Sequence, residues 1–408
     1  MTNKPKPSAR PSPQHLPFLT LLLLLLIAFH AFQGPVRSWF SGRYRAEDVF
    51  RRALDVCLDD YVEHRSAGEL LQGALDGMVE SLNDPHSAFL PPTANQRLGE
   101  EEAGKYAGIG VEIQLKDERL VIRSVFDGSP AAKAGLRAGD VIVSAAEHDP
   151  DGLKEPVVHD LTAVKSLGRA SMLLRGLEGS KVTLGVLRGG KRLEFTVERD
   201  EIERPVVEAR LVGDGIGYLR IRDFPDGVSG KVREALAGLR KQHVRALVLD
   251  LRRNVGGFLD EAVRVADLFI PDGVIVSTVN RYESENRVFR ASPGGPAEDL
   301  PLAVLVDGGT ASAAEVLSGT LQDHGRARLV GTKTFGKGAV SKRFSFPDGS
   351  GILLSTGRYI LPKGRQIEGK GLEPDLVVEP PEREAEPSGP QFDAAVKLLR
   401  EQLAPPGA

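Results

Sequence analysis

The chain has 408 residues, enough for two or three domains, and its 53 Lys and Arg nearly balance 56 Asp and Glu, giving a formal net charge of −3. With 41% hydrophobic and 27% charged residues the composition is that of an ordinary globular protein, and no basic excess points to a nucleic-acid partner. A single cysteine, Cys57, excludes an intrachain disulfide and leaves the redox compartment open.

Residues 1–15 carry Lys4, Lys6 and Arg10, four prolines and no acidic side chain. Residues 16–32 follow as an apolar run, long enough for a signal h-region or a short membrane span. The AFHAFQG that ends the run lacks an A-x-A site, so an uncleaved signal anchor is the expectation, with cleavage and export to the periplasm as the alternative. Positive charge ahead of the span keeps the N-terminus in the cytoplasm and places the body outside it, on the periplasmic side of the cell membrane. Two amphipathic helices are predicted next, over 46–64 and 69–82. Cys57 falls in the apolar stripe of the first, with Phe50, Ala53, Leu54 and Leu58, and is expected to pack in a core rather than to react. The NDPHSAFLPP that follows ends the second helix at a turn. His86 lies in that turn, with no neighbour in sequence to orient it.

The segment 103–199 alternates short strands with turn signals. YAGIGVEI, LVIRSVF and LEFTVE read as strands, SPAAKAG as a short helix closing on Gly135, and AGDVI as a turn into a further strand. The stretch 147–160 is polar and longer than a simple turn. Its His148, Asp149, Asp151, His159 and Asp160 invite a metal reading, but no helical i,i+4 pair supports one, and no metal is expected. From residue 208 the pattern becomes α/β. GIGYLRIRDF and ALVLDLR are strands, the latter almost continuously apolar and so buried on both faces. A helix is predicted over 228–243 and another through Val263, Ala266, Leu268 and Phe269. GVIVSTV and LAVLV are further strands, and 343–362 is a hairpin turning at Asp348 and Gly349. A linker and a short helix over 392–403 close the chain.

The candidate chemistry sits in 302–341. A strand over 302–306, a turn at Gly308 and Gly309, and a helix over 311–324 put Ser312 at a helix start, where backbone N–H groups suit a developing oxyanion. Lys337 follows 25 residues later between two glycines. A lysine can activate a hydroxyl only when neutral, which requires burial. From spacing alone the plain reading competes: Ser312 with Glu315 is an S-x-x-E capping box, and a lysine between glycines is usually a solvated loop residue.

The motifs TASAAEVLSGTLQDHGRARLVGTKTFGKG, LVLDLRRNVGG and IEGKGLEPDLVV resemble the C-terminal processing (tail-specific) protease family, over about residues 70–378. DPHSAFL resembles the family's segment ahead of its PDZ domain, and 103–199 resembles a PDZ domain. The resemblance implies a multidomain α/β chain. A basic n-region and anchor (1–34) and N-terminal helices (35–102) would precede a PDZ domain (103–200). A ClpP/crotonase-like β/α spiral protease core (201–380) and a tail (381–408) would follow. It implies Ser312 as nucleophile and Lys337 as general base of a serine endopeptidase working through an acyl-enzyme. The oxyanion would be held by the N–H of Ala313 and one from Gly256 or Gly257. Asp250, Arg252 and Asn254 would hold that turn, and Val255 stands where the family usually has proline. Ser341 stands where the family has a glutamine that orients the lysine. The loop Gly108, Ile109, Gly110 and Val111 would receive a peptide's terminal carboxylate, the peptide adding as a strand. No cofactor is implied. The partners would be proteins or peptides with free C-termini, with an adaptor and homo-oligomerisation possible. Two other readings stay open: a degenerate protease kept as a PDZ-type binding module, favoured by Ser341, and a crotonase-like acyl-thioester enzyme.

Overall fold

The computed structural model describes residues 42–148, 155–162, 167–380 and 389–404. The predicted n-region and anchor lie outside these residues, as do Asp149 and Asp151. Among the described residues no helix is long and apolar enough to cross a membrane. The chain divides into two compact units, 1–83 and 84–408.

The first unit holds α1 (Gly42–Asp60) and α2 (Ala67–Glu80). Ser66 caps α2 by a full capping box: its hydroxyl accepts the Glu69 N–H at 3.2 Å and the Glu69 carboxylate accepts the Ser66 N–H at 3.0 Å. The periodicity predicted both helices, but the core expected around Cys57 in α1 is not formed among the described residues. Cys57 is exposed, and so are Val49, Phe50 and Val56 of the same stripe. An apolar stripe specifies a face, and among the described residues of this unit only Val79 is buried.

The second unit opens with β1 (Ala88–Leu90) and α3 (Pro92–Ala103). A PDZ-like sheet follows. Its elements are β2 (Lys105–Gly108), β3 (Val111–Lys116), β4 (Arg119–Val125), α4 (Pro130–Ala134), β5 (Val141–Glu147), β6 (Val157–Asp160), α5 (Leu167–Leu174), β7 (Lys181–Arg188), β8 (Lys191–Glu198) and β9 (Asp200–Glu203). The main sheet runs β3-β4-β5-β7-β8, and β6 pairs with β5. The polar stretch after Ala145 is therefore partly a β-arm, which its composition did not signal. Asp140 pins this sheet's interior. It is 1% exposed and takes two bonds of 2.7 Å from Arg188 and one of 2.9 Å from the Arg137 N–H. Burial alone would raise its carboxyl; these partners hold it below the usual range.

The core begins with β10 (Val207–Gly213), β11 (Ile216–Ile221), α6 (Val228–Lys241), β12 (Ala246–Asp250) and α7 (Leu259–Ala266). It continues through β13 (Val274–Asn280), β14 (Arg287–Arg290), β15 (Leu302–Val306), α8 (Ala313–Asp323), β16 (Arg328–Gly331), β17 (Ala339–Ser345), β18 (Gly351–Ile360), β19 (Leu376–Val377) and α9 (Pro390–Leu403). One sheet has the order β10-β11-β12-β15-β16-β19, parallel except at β10. Leu247 and Leu249 of β12 face the core formed with α6, α7 and α8, whereas Ala246 and Val248 face α9. Both faces are covered, which is why this strand reads as an unbroken apolar run. The tail helix is thus part of the core: Tyr218 meets Phe392 edge to face at 5.9 Å. A second sheet, β1-β18-β13-β14 with β17 on β18, is interleaved in sequence with the first and carries the predicted hairpin. Helix α7 ends at Ala266, and the predicted stretch to Phe269 continues as tighter turns, the Leu268 and Phe269 N–H groups reaching the Val265 and Ala266 carbonyls.

Candidate active site

Two loops at the C-terminal ends of parallel strands build the site, the place where such sheets bind ligands. After β12 comes the turn Leu251 to Gly257. Asp250, fully buried, accepts from Arg252 through N–H, Nε and Nη2 at 3.0, 2.9 and 2.6 Å and from the Tyr218 hydroxyl at 2.8 Å. Asn254 donates to the Ile221 carbonyl and accepts the Gly256 N–H, both at 2.9 Å. These three residues hold the turn, as expected.

After β15, Thr310 donates to the Leu251 carbonyl at 2.9 Å and the Ala311 N–H reaches the Asn254 carbonyl at 2.8 Å, so the two loops are tied together. Ser312 then adopts φ 55° and ψ −120°. A non-glycine residue there is strained by about 1–3 kcal/mol and is held by its surroundings. This is why α8 starts at Ala313 and not at the predicted Ala311. Ser312 is 7% exposed. A Cβ placed on Gly256 would lie 2.8 Å from Ser312 Cβ and 3.0 Å from the Ala313 nitrogen, so only glycine lets this turn approach the serine.

The oxyanion candidates separate at this point. The Gly256 N–H is already used by Asn254 Oδ1, so Gly256 serves by approach and not as a donor. The N–H groups of Gly257 and Ala313 make no hydrogen bond among the described residues. Ala313 follows Ser312 in the chain and Gly257 follows the glycine that packs on it, so these two N–H groups, and not that of Gly256, are the candidates to receive an oxyanion.

Glu315 joins the serine to the lysine loop. Its Oε2 accepts the Ser312 N–H at 2.9 Å and the Lys337 N–H at 2.8 Å. Its Oε1 accepts the Gly336 N–H at 2.8 Å and the Thr334 hydroxyl at 2.5 Å. Two backbone nitrogens far apart in sequence therefore converge on one oxygen. Burial pushes the Glu315 carboxyl upward, and the four donors pull it back in part. The S-x-x-E pattern signalled the first of these bonds, and nothing in it signalled the other three.

The glycines beside Lys337 admit the segment 367–371. The Gly338 N–H donates to Glu368 Oε2 at 2.8 Å, and a Cβ on Gly338 would lie 2.4 Å from the Glu368 nitrogen. Lys337 itself is half-buried. Tyr359, missed in the sequence, is 5% exposed beside Ser312. Burial pushes its phenol up to about 12, against a smaller opposing pull from the Ser312 hydroxyl.

Ser341 sits in β17 at a register shift opposite Ser355. Its hydroxyl oxygen is buried and makes no hydrogen bond among the described residues. It does not orient Lys337 directly. Ser341→Ala should therefore leave the cleavage rate within about twofold of the parent, because it removes an unpaired hydroxyl. Ser341→Gln should be at least as fast, since a longer amide can reach further. Steady-state rates of the three proteins check this, and a tenfold loss in Ser341→Ala would refute it.

In the PDZ-like sheet, β3 pairs among the described residues with β4 alone, which leaves its other edge without a strand among them. The loop Gly108 to Val111 leads into that edge. The Ile109 carbonyl accepts the Ala131 N–H at 2.9 Å and the Gly110 carbonyl accepts the Phe126 N–H at 3.0 Å. The Ile109 side chain is buried in the sheet's core, so only its backbone can serve a ligand. Among the described residues no group of His, Cys, Asp and Glu could hold a metal ion. His148 instead pairs with Thr183 at 2.8 Å.

Residues 215–378 match peptidase family S41, residues 107–198 a PDZ domain, and residues 44–93 the N-terminal domain of the activating protease CtpB. A probable CtpA-like serine protease from Staphylococcus saprophyticus is 34% identical over 372 residues, covering 89% of this chain and 72% of that protein. Another from Staphylococcus haemolyticus is 36% identical over 325 residues, covering 79% of this chain but only 63% of the relative's length. A crystal structure of a putative S41 protease from Bacteroides fragilis, 20% identical, shares the fold with a TM-score of 0.53 over 80% of this chain and 90% of its own. On the extent and identity of these matches, the chain belongs to the CtpA-like serine proteases of peptidase family S41.

Proposed function

We propose that the protein is a serine endopeptidase of the C-terminal processing type. Ser312 is the nucleophile, Lys337 the general base, and the N–H groups of Ala313 and Gly257 stabilise the oxyanion. The observation that carries this reading is the convergence of the Ser312 and Lys337 backbones on Glu315 Oε2, beside the Gly256–Gly257 turn. Attack of Ser312 Oγ on a peptide carbonyl passes its proton to Lys337, which returns it to the leaving amine. Water then releases the acyl group. Cleavage of a tailed peptide, with acylation of Ser312 by a serine-directed probe, tests it. Ser312→Ala should abolish both while changing stability by no more than about 1–2 kcal/mol. Unchanged cleavage by Ser312→Ala would end the proposal.

The PDZ-like domain, bounded at about 103–200, selects substrates by their C-termini. The edge of β3 that carries no strand and the N–H groups of Ile109 and Gly110 that make no hydrogen bond, both among the described residues, support this. Amidating the C-terminus of a peptide ligand should weaken binding by about tenfold or more, read by calorimetry, because a charge-assisted set of bonds is lost. Equal affinity for acid and amide would refute C-terminal recognition. Residues 16–32 tether the body on the periplasmic side, a reading that rests on their apolar length and the basic flank. The unpaired Ser341 hydroxyl favours one rival, a catalytically degenerate PDZ-type binding protein. Absence of turnover and of Ser312 acylation would establish it.

A further inference from the structure

We infer that His86 and Glu368 are positioning residues that fix the peptide carrying Lys337. The inference rests on the proposed role of Lys337 as base. Glu368 divides its two oxygens: Oε2 accepts the Gly338 N–H at 2.8 Å, and Oε1 faces His86 Nε2 at 3.0 Å. Their side chains are 24% and 11% exposed. A carboxylate with that much access to water would be free to turn, and the imidazole fixes which oxygen faces Gly338.

His86 is itself anchored. Its backbone N–H donates to Asp84 Oδ1 at 3.2 Å, and the Ser87 hydroxyl donates to Asp84 Oδ2 at 2.5 Å. Ser87 Oγ in turn accepts the Ser355 N–H at 3.0 Å, tying this turn to β18. From the same strand the Tyr359 N–H donates to the Gly338 carbonyl at 2.8 Å. Both polar groups of Gly338 are thus gripped, one through β18 and the other through the His86–Glu368 pair.

The effect on chemistry follows from reach. The lysine side chain pivots about a backbone held on one side by Glu315 and on the other by Glu368. A general base must sit within hydrogen-bond distance of the proton it takes, and a displacement of about 1 Å can cost about 10²-fold in rate. His86 Nε2 donates to Glu368 whether the ring is neutral with its proton on that nitrogen or is charged. Neither residue touches the reacting atoms.

The test uses the full chain and compares kcat, KM and thermal midpoint for the parent, His86→Ala, His86→Gln, Glu368→Ala and the double alanine variant, with Lys337→Ala as control. His86→Ala and Glu368→Ala should each lower kcat by about tenfold or more with KM within about twofold. His86→Gln, which still extends an N–H toward Glu368, should recover most of the loss. The double variant should be no slower than Glu368→Ala, because both act through one contact. Unchanged kcat in both alanine variants, additive losses, or a His86→Gln as slow as His86→Ala would each overturn the inference. Should Glu368→Ala fail to fold, the His86→Ala and His86→Gln pair decides alone. Parent-like turnover in Lys337→Ala would overturn the Ser–Lys reading and this inference with it. An inactive Lys337→Ala alongside unaltered His86 variants overturns this inference only.

Discussion

Lys337→Ala is expected to lower turnover of a tailed peptide by about 10³-fold, within the range lost when a general base is removed. The loop should survive the change. The bonds that shape it come from the backbone N–H groups of Gly336, Lys337 and Gly338 to Glu315 and Glu368, and an alanine at 337 keeps them all. The thermal midpoint should therefore stay within a few degrees of the parent's, corresponding to less than about 1 kcal/mol. Residual rate would reflect the oxyanion donors and substrate binding, which remain. Single-turnover acylation of Ser312 separates loss of chemistry from loss of binding. Acylation at the parental rate would remove Lys337 from the mechanism.

Glu315→Gln should damage stability and turnover together. The carboxylate is fully buried and serves four donors with two acceptor atoms. A glutamine offers one oxygen and places an amide N–H₂ where the other oxygen stood. Either the Ser312 and Lys337 N–H groups or the Gly336 N–H and Thr334 hydroxyl then face a donor. Leaving buried donors unpaired costs about 1–3 kcal/mol each, so a loss of about 3 kcal/mol is expected in urea unfolding. The pH dependence should change too. Burial raises the Glu315 carboxyl, so the native state holds a proton to higher pH than the unfolded chain does. Its contribution favours folding at low pH and declines as pH rises from the ordinary carboxylate value through the raised one. That decline should be absent from the variant. A Glu315→Gln protein with parental stability and rate would show that the four bonds carry nothing.

What the sequence made legible was local. A strand, two glycines and a helix pattern marked Ser312 as a helix start and the flanking glycines marked Lys337 as a loop residue, because each rests on neighbours within a few residues; their candidacy as nucleophile and base came from the resemblance. The strand 246–250 could be assigned as doubly covered because its apolar run is continuous, although the helix covering its second face lies some 140 residues later. The contacts that complete the site were not legible for the same reason. Glu315 meets Thr334 and Gly336, and His86 meets Glu368, across separations at which no periodicity operates. The oxyanion turn shows a finer failure: Gly256 and Gly257 are indistinguishable as letters, and only the Asn254 side chain decides which N–H is free. Cys57 marks the opposite limit, a helix stripe correctly found whose core was assumed.

The left-handed backbone of Ser312 has a consequence for how such a chain would change over generations. At φ 55° a glycine relaxes the fold, whereas any residue with a Cβ carries a local penalty there, largest for β-branched ones. Selection on folding alone therefore pulls this position toward glycine, and only selection on turnover holds serine in place. A lineage that kept its peptide-binding domain but no longer needed cleavage would lose the hydroxyl early, by a substitution that strengthens the protein rather than weakens it. In its proposed role as nucleophile, serine at 312 would thus be kept by turnover against the pull of the molecule's stability.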